Sequence, residues 1–214
     1  MKSLQEYLME SINEAYIPSP WAKAVMDGCL NFTTDVFKSI DGSIDYEHNG
    51  KKITIKWGDV SHLYQEFISK AVADLTAGNM DKGDIKAFCN AVANKDPEKK
   101  FKFNSNNGHL SFADSYKLSE FAEPLDEDIR KIIKDLQIPA NVDWNDDTPL
   151  SERDWTWNIW AGILYKFVND TWEKKAKEPV TMEDYGTLTF LPKSGFSTSI
   201  SCSFFFTFDF KPKD

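Results

Sequence analysis

Few residues in this chain have the types needed for nucleophilic, acid–base or metal chemistry, and those few are dispersed. The three cysteines, Cys29, Cys89 and Cys202, and the three histidines, His48, His62 and His109, share no close spacing. A serine or thiolate nucleophile needs a base within hydrogen-bond reach. A hydrolytic site would therefore have to be assembled from distant segments. Zinc sites draw on patterns such as HExxH or paired CxxC, and neither is present. The phosphate-cradling loops GxxxxGK[ST] and GxGxxG are missing as well. Asp143, Asn145, Asp146 and Asp147 supply oxygen ligands of the kind Ca²⁺ prefers, without the loop glycine and distal glutamate of a calcium loop. No cofactor and no metal ion is expected, and the sequence leans toward a non-enzymatic protein. An odd number of widely spaced cysteines reads as reduced thiols, with Cys89 and Cys202 buried.

The residues that remain informative are aromatic. Trp155, Trp157, Trp160 and Trp172 fall in one segment, 148–175, which reads as a long helix. Thr148 suits the N-cap and Pro149 the first helical position, and Glu152 and Asp154 sit near the positive end of the helix dipole. Its apolar residues cover most of the circumference and leave Asn158, Lys166 and Asn169 as a narrow polar stripe. Such a helix is either the spine of a core or the wall of a tryptophan-lined pocket for a small molecule. The first reading expects Trp157 and Trp172 to be the tryptophans nearest solvent. Outside it, Trp21, Trp57 and Trp144 are the candidates for exposed contacts.

Around that helix the pattern predicts an α+β fold. Residues 21–30 suggest a short helix ending near Gly28. Two alternating runs, 43–47 and 52–57, joined through Asn49-Gly50, spell a β-hairpin. Helices follow at about 59–77, closed by Gly78, and at 82–93. A second hairpin is expected over 101–112 and a short helix over 126–136. After Pro179, alternation predicts a strand at 185–191, a turn at 192–195 and one long strand over 196–210. That strand places Phe196, Ile200, Cys202, Phe204, Phe206, Phe208 and Phe210 on a dry face, with a bend or bulge expected because of its length. The tryptophan helix is expected to cover that face, meeting Phe204, Phe206 and Phe208.

The chain has 214 residues, enough for one domain, and a formal net charge of −9. Its pI is near 4.9. Binding to nucleic-acid phosphates or anionic membranes calls for a basic footprint, so neither partner is expected. No apolar run approaches the ~20 residues that cross a bilayer, and no secretion signal opens the chain. The acidic loop 141–147 with Glu152 and Asp154 is a local cluster, too small to imitate a row of DNA phosphates. Asp143, Trp144, Asp146 and Asp147 instead suggest a contact for a protein partner. Oligomeric state is not legible.

Residues 1–16 form an amphipathic helix in the sequence pattern. Ser3 with Glu6 makes a capping box, and Leu4, Leu8, Ile12 and Ala15, with Tyr7, share one face. Pro18 and Pro20 break it from the domain expected over 17–214. The stretch Lys2, Gln5, Glu6, Tyr7, Leu8, Glu10 resembles the capsid-targeting peptide of internal head proteins of large tailed bacteriophages. In that family a maturation protease cuts after aliphatic-x-Glu before a small residue. The matching places here are Leu8-Met9-Glu10 before Ser11 and Ile12-Asn13-Glu14 before Ala15. The resemblance implies a phage-encoded protein of the virion interior or host cytoplasm, with Leu4, Tyr7, Leu8 and Ile12 meeting a head component or host protein. The competing readings are the small-molecule or hydrolytic domain named above and an early phage inhibitor of a host defence protein.

Overall fold

In a computed structural model the described residues are 17–104, 108–112, 127–137, 150–198 and 202–214, with the side chains of 150–158 excepted. The helices are α1 (Pro20–Lys38), α2 (Trp57–Ala77), α3 (Lys82–Ala93), α4 (Glu127–Asp135) and α5 (Leu150–Lys175). The strands are β1 (Ser43–His48), β2 (Lys51–Lys56), β3 (Phe101–Phe103), β4 (His109–Ser111), β5 (Val180–Met182), β6 (Gly186–Phe190), β7 (Gly195–Thr198), β8 (Cys202–Phe205) and β9 (Phe208–Pro212). Pairing is antiparallel throughout, in the orders β1-β2, β3-β9-β6-β5 and β4-β8-β7. The fold is α+β, as the periodicities predict. No described helix is long and apolar enough to cross a membrane.

Local chemistry accounts for most boundaries. The β1–β2 turn places Asn49 at φ 49° and Gly50 at φ 74°, the paired positive values that a tight two-residue hairpin turn needs. Gly78, at φ 71°, closes α2. The Asp81 carboxylate caps α3 by accepting from the Asp84 amide at 2.9 Å. Helix α1 departs from expectation. It begins as predicted, with Ser19 Oγ accepting from the Ala22 amide at 3.2 Å and Pro20 in the first turn. It then passes through Gly28 and continues to Lys38. A Cβ at Gly28 would lie 3.2 Å from Leu188 Cδ1, so this glycine marks close helix–sheet packing rather than a helix end.

The C-terminal alternation is divided among three strands, which corrects the single strand expected over 196–210. Gly195 pairs with Phe205 and Thr198 with Cys202, so the chain reverses between β7 and β8. The period survives the reversal because Phe196 lies opposite Phe204, and paired residues share a face. Residues 101–112 are likewise not a hairpin. Strand β3 pairs with β9 and β4 with β8, so this segment runs beside the C-terminal strands instead of folding on itself. On the other flank β6 pairs with β9 and β7 with β8.

All three lines of strand are interrupted at one level, a waist at Phe206 and Thr207. There the Phe206 amide donates to Gly108 O at 2.9 Å and the Leu191 amide to Thr207 O at 2.7 Å. Ser194 Oγ donates to Thr207 O at 2.7 Å and accepts from the Thr207 amide at 2.6 Å. A polar side chain thus replaces the ladder bonds the break removes. The expected bend is a full break between two sheets.

The dry face carries Phe196, Cys202, Phe204, Phe206, Phe208 and Phe210, all buried, while Ile200 lies outside the described residues. Helices α1 and α5 supply most of its cover, and Phe88 of α3 adds an edge contact to Phe206 at 5.9 Å. From α1, Phe32 stacks on Phe190 at 4.0 Å, Phe37 meets Phe196 and Phe204, and Trp21 meets Phe210 at 4.7 Å. From α5, Trp172 meets Phe204 at 6.4 Å and Phe206 at 5.8 Å. Trp172 is 0% exposed, which corrects its expected approach to solvent. Trp160 is buried in a stack with Tyr64 and Trp57, and Tyr64 Oη donates to Trp160 O at 2.9 Å. The side chain of Trp157 lies outside the described residues. The spine is therefore shared between α1 and α5.

Helix α5 also closes a sheet edge. Asn169 Nδ2 donates to Phe196 O, and its Oδ1 accepts from the Phe196 amide, each at 2.9 Å. One side-chain amide thus substitutes for a neighbouring strand on β7. Gly195 makes room for it, since a Cβ there would lie 2.3 Å from Asn169 Oδ1. Asn169→Ala should lower the unfolding free energy by about 1–3 kcal/mol, the cost of stranding buried backbone groups. Gly195→Ala should destabilise through the same contact. Denaturant titration checks both, and an Asn169→Ala change within about 0.5 kcal/mol of wild type, typical of an unimportant surface site, would remove this role.

Candidate binding groove

The residues singled out from the sequence fall outside the described part of the chain. These are Leu4, Tyr7, Leu8, Glu10, Ser11, Ile12, Glu14 and Ala15 in the leader, and Asp143, Trp144, Asp146 and Asp147 in the acidic loop. The groups capable of chemistry within it can be placed. Cys29, Cys89 and Cys202 are all buried. Burial pushes the Cys89 thiol up to about 11 and the Cys202 thiol to about 12, and raises Cys29 well above 9.0. A thiol held protonated in this way is a packing residue, since the thiolate is the nucleophile.

Two histidines face carboxylates. His62 Nε2 lies 3.3 Å from Asp128 Oδ2, and His109 Nε2 lies 3.2 Å from Asp84 Oδ2. Ser111 Oγ donates to the same Asp84 oxygen. The order of groups is therefore serine–aspartate–histidine, with the carboxylate in the middle. A nucleophilic triad needs the imidazole in the middle, where it can take the hydroxyl proton. This cluster instead ties β4 to the first turn of α3. Among the described residues no group of three or more His, Cys, Asp and Glu side chains is placed to hold a metal ion.

The concave surface lies along α5. A cleft of about 770 Å³ is lined by Asp45, Tyr46, Glu47 and Lys52 of the hairpin and by Gly162, Tyr165, Lys166, Asn169, Asp170 and Glu173 of α5. A second cleft of about 730 Å³ shares Asp170 and Glu173 and continues past Ser43, Trp172, Lys174 and Lys177 to residues 189–192 and Ser194, so its charged lining is balanced. Both volumes lie in the range of ligand sites. The two form one groove between the hairpin and the C-terminal half of α5. The hairpin leans on the helix at Gly162, where a Cβ would lie 3.1 Å from Tyr46 Oη.

The first cleft is acidic on balance, with Asp45, Glu47, Asp170 and Glu173 set against Lys52 and Lys166. The Asp45 carboxylate accepts from Thr54 Oγ1 at 2.8 Å and pairs with Lys52 at 2.9 Å. The Lys52 hydrogen bond, then the Thr54 one, holds its pKa below the usual carboxylate value. Glu47, Asp170 and Glu173 form no ion pair among the described residues. Tyr165, 47% exposed, is one of the few large hydrophobics left open to solvent. The polar stripe of α5, Lys166 and Asn169, was the sequence signal for this surface. What the sequence could not show was that the hairpin docks beside that stripe.

The thiols generate a pH prediction. In the unfolded chain they ionise near 9.0, while in the folded protein they keep their protons. Buried Tyr64 behaves alike, its phenol raised well above 10.0. Groups with raised folded pKa values favour folding fully below the unfolded value and lose that contribution as pH climbs toward the folded one. Unfolding free energy should therefore decline from pH ~9 toward ~11, and an unchanged value across that interval would contradict the burial of these groups. Comparison with protein-family models, curated proteins and solved structures finds no match to this chain.

Proposed function

We propose that this chain acts by binding a protein partner, without catalysis of its own. The supporting observation is the groove between β1 and α5, where Glu47, Asp170 and Glu173 form no ion pair among the described residues and Tyr165 is open to solvent. Unpaired carboxylates in a concave site favour a cationic surface, and an exposed tyrosine supplies contact area at small entropic cost. A net charge of −9 extends the same preference over the whole molecule. The buried thiols and the serine–aspartate–histidine order favour this reading over hydrolysis.

A second reading concerns where the binding takes place, and it rests on the leader. The aliphatic-x-Glu sites at Glu10 and Glu14, before Ser11 and Ala15, suit a phage protein packaged in the virion and delivered to the host. There it would meet a head component or a host protein, a defence protein among them. Mass spectrometry of purified virions should then find the chain beginning at Ser11 or Ala15. Absence from particles, or an intact leader in mature ones, would contradict packaging with processing.

Affinity purification from infected cells, early and late, tests the binding reading with wild-type protein and the Asp170→Lys/Glu173→Lys variant side by side. A partner enriched by the wild type and lost from the folded variant is the expected outcome. Equal recovery by both would move the binding surface away from the groove.

A further inference from the structure

Among the described residues, β1 pairs only with β2, so its outer edge carries backbone groups with no strand beside them. Asp45, Tyr46 and Glu47 are consecutive and all line the cleft. Side chains alternate across a strand, so Asp45 and Glu47 come from one face and Tyr46 from the other, which places the cleft along the strand's edge. Lys52 reaches over from β2 to pair with Asp45, and Lys166 of α5 lines the same cleft.

Other sheet edges are each guarded, and β1 is the exception. Strand β2 presents exposed Lys51 and Lys56. The β7 edge is closed by the Asn169 amide. The β4 edge is covered where the Asp81 amide donates to Ser111 O at 2.6 Å and Met80 bridges to Phe112. Strand β3 is three residues long with exposed Lys102 at its middle, and β5 is three residues long and follows Pro179. These are the usual means by which proteins prevent edge pairing. Strand β1, with the sequence Ser-Ile-Asp-Tyr-Glu-His, has neither lysine nor proline and runs for six residues.

We propose that the open edge of β1 accepts an extended, basic segment of a partner protein as a third strand. The segment's lysine or arginine side chains then lie between Glu47 on the hairpin and Asp170 and Glu173 on α5. Main-chain hydrogen bonds to β1 provide affinity that tolerates many sequences, and the carboxylates select the charge. Tyr165 offers its ring to the stem or head of one basic side chain. The proposal rests on the protein-binding reading above and names the class of partner segment for the same groove.

The probe is a ten-residue capped peptide alternating lysine and valine, titrated into the full chain by calorimetry. A glutamate–valine peptide serves as the charge control. A lysine–valine peptide N-methylated at alternate amides removes strand pairing while keeping the charges. The lysine–valine peptide should bind, weaken as salt rises, and lose about tenfold or more in affinity to Asp170→Lys/Glu173→Lys, since about 1.4 kcal/mol is a factor of ten. The N-methylated and glutamate peptides should not bind wild type.

Equal affinity for the N-methylated peptide would overturn strand addition without any reference to a variant. Failure of the lysine–valine peptide to bind at millimolar concentration would overturn it too. If partner capture in cells still depended on the groove, the protein-binding reading would survive that failure. Self-association in sedimentation, abolished by the same charge reversals, would assign the edge to a second copy and overturn the basic partner segment.

Discussion

Five phenylalanines on one sheet face, Phe196, Phe204, Phe206, Phe208 and Phe210, impose the constraint from which the rest of the architecture follows. Removing such a side chain from water is worth roughly 1.5–3 kcal/mol, so the face must be covered along its whole length. The sheet breaks at the Phe206–Thr207 waist, so its cover has to reach both parts. Helix α1 reaches both parts, with Trp21 on Phe210 and Phe37 on Phe196 and Phe204. Helix α5 joins it through Trp172 near the waist and closes the β7 edge through Asn169. With α5 held in that place, its polar stripe faces outward beside the hairpin. The groove is the space the two leave between them.

Local signals in the sequence identify elements wherever the chemistry is itself local. The Asn49-Gly50 turn, the Gly78 cap and the apolar faces of α2 and α3 are each set by residues within a few positions of one another. Strand partners are set by distant residues, and there the reading from sequence fails. Alternation over 196–210 is genuine, but a reversal that pairs Phe196 with Phe204 leaves the period intact and hides the turn. Residues 101–112 look like a hairpin because two short runs flank a glycine-containing loop. Their true partners lie a hundred residues away, in β8 and β9.

Helix α1 looks shorter from its sequence than it is for a related reason. Gly28 signals a helix end when judged alone and close packing when Leu188 is beside it. Thr33 and Thr34 dilute the apolar pattern, yet both are buried, and Thr33 Oγ1 satisfies itself on Cys29 O at 2.9 Å. The groove was legible only in part. Lys166 and Asn169 stand out as polar positions on an apolar helix, but nothing near them in sequence announces Asp45, Tyr46 and Glu47. The hairpin was legible as a hairpin, not as a wall.

The proposed strand addition stands or falls with the β1 edge and the carboxylates opposite it. Backbone amide exchange followed by NMR, with the lysine–valine peptide present and absent, reads that edge residue by residue. The account predicts new protection at alternate amides within Ser43–His48, because the others already bond to β2. Protection confined to other strands, or none in β1 at saturating peptide, would contradict it.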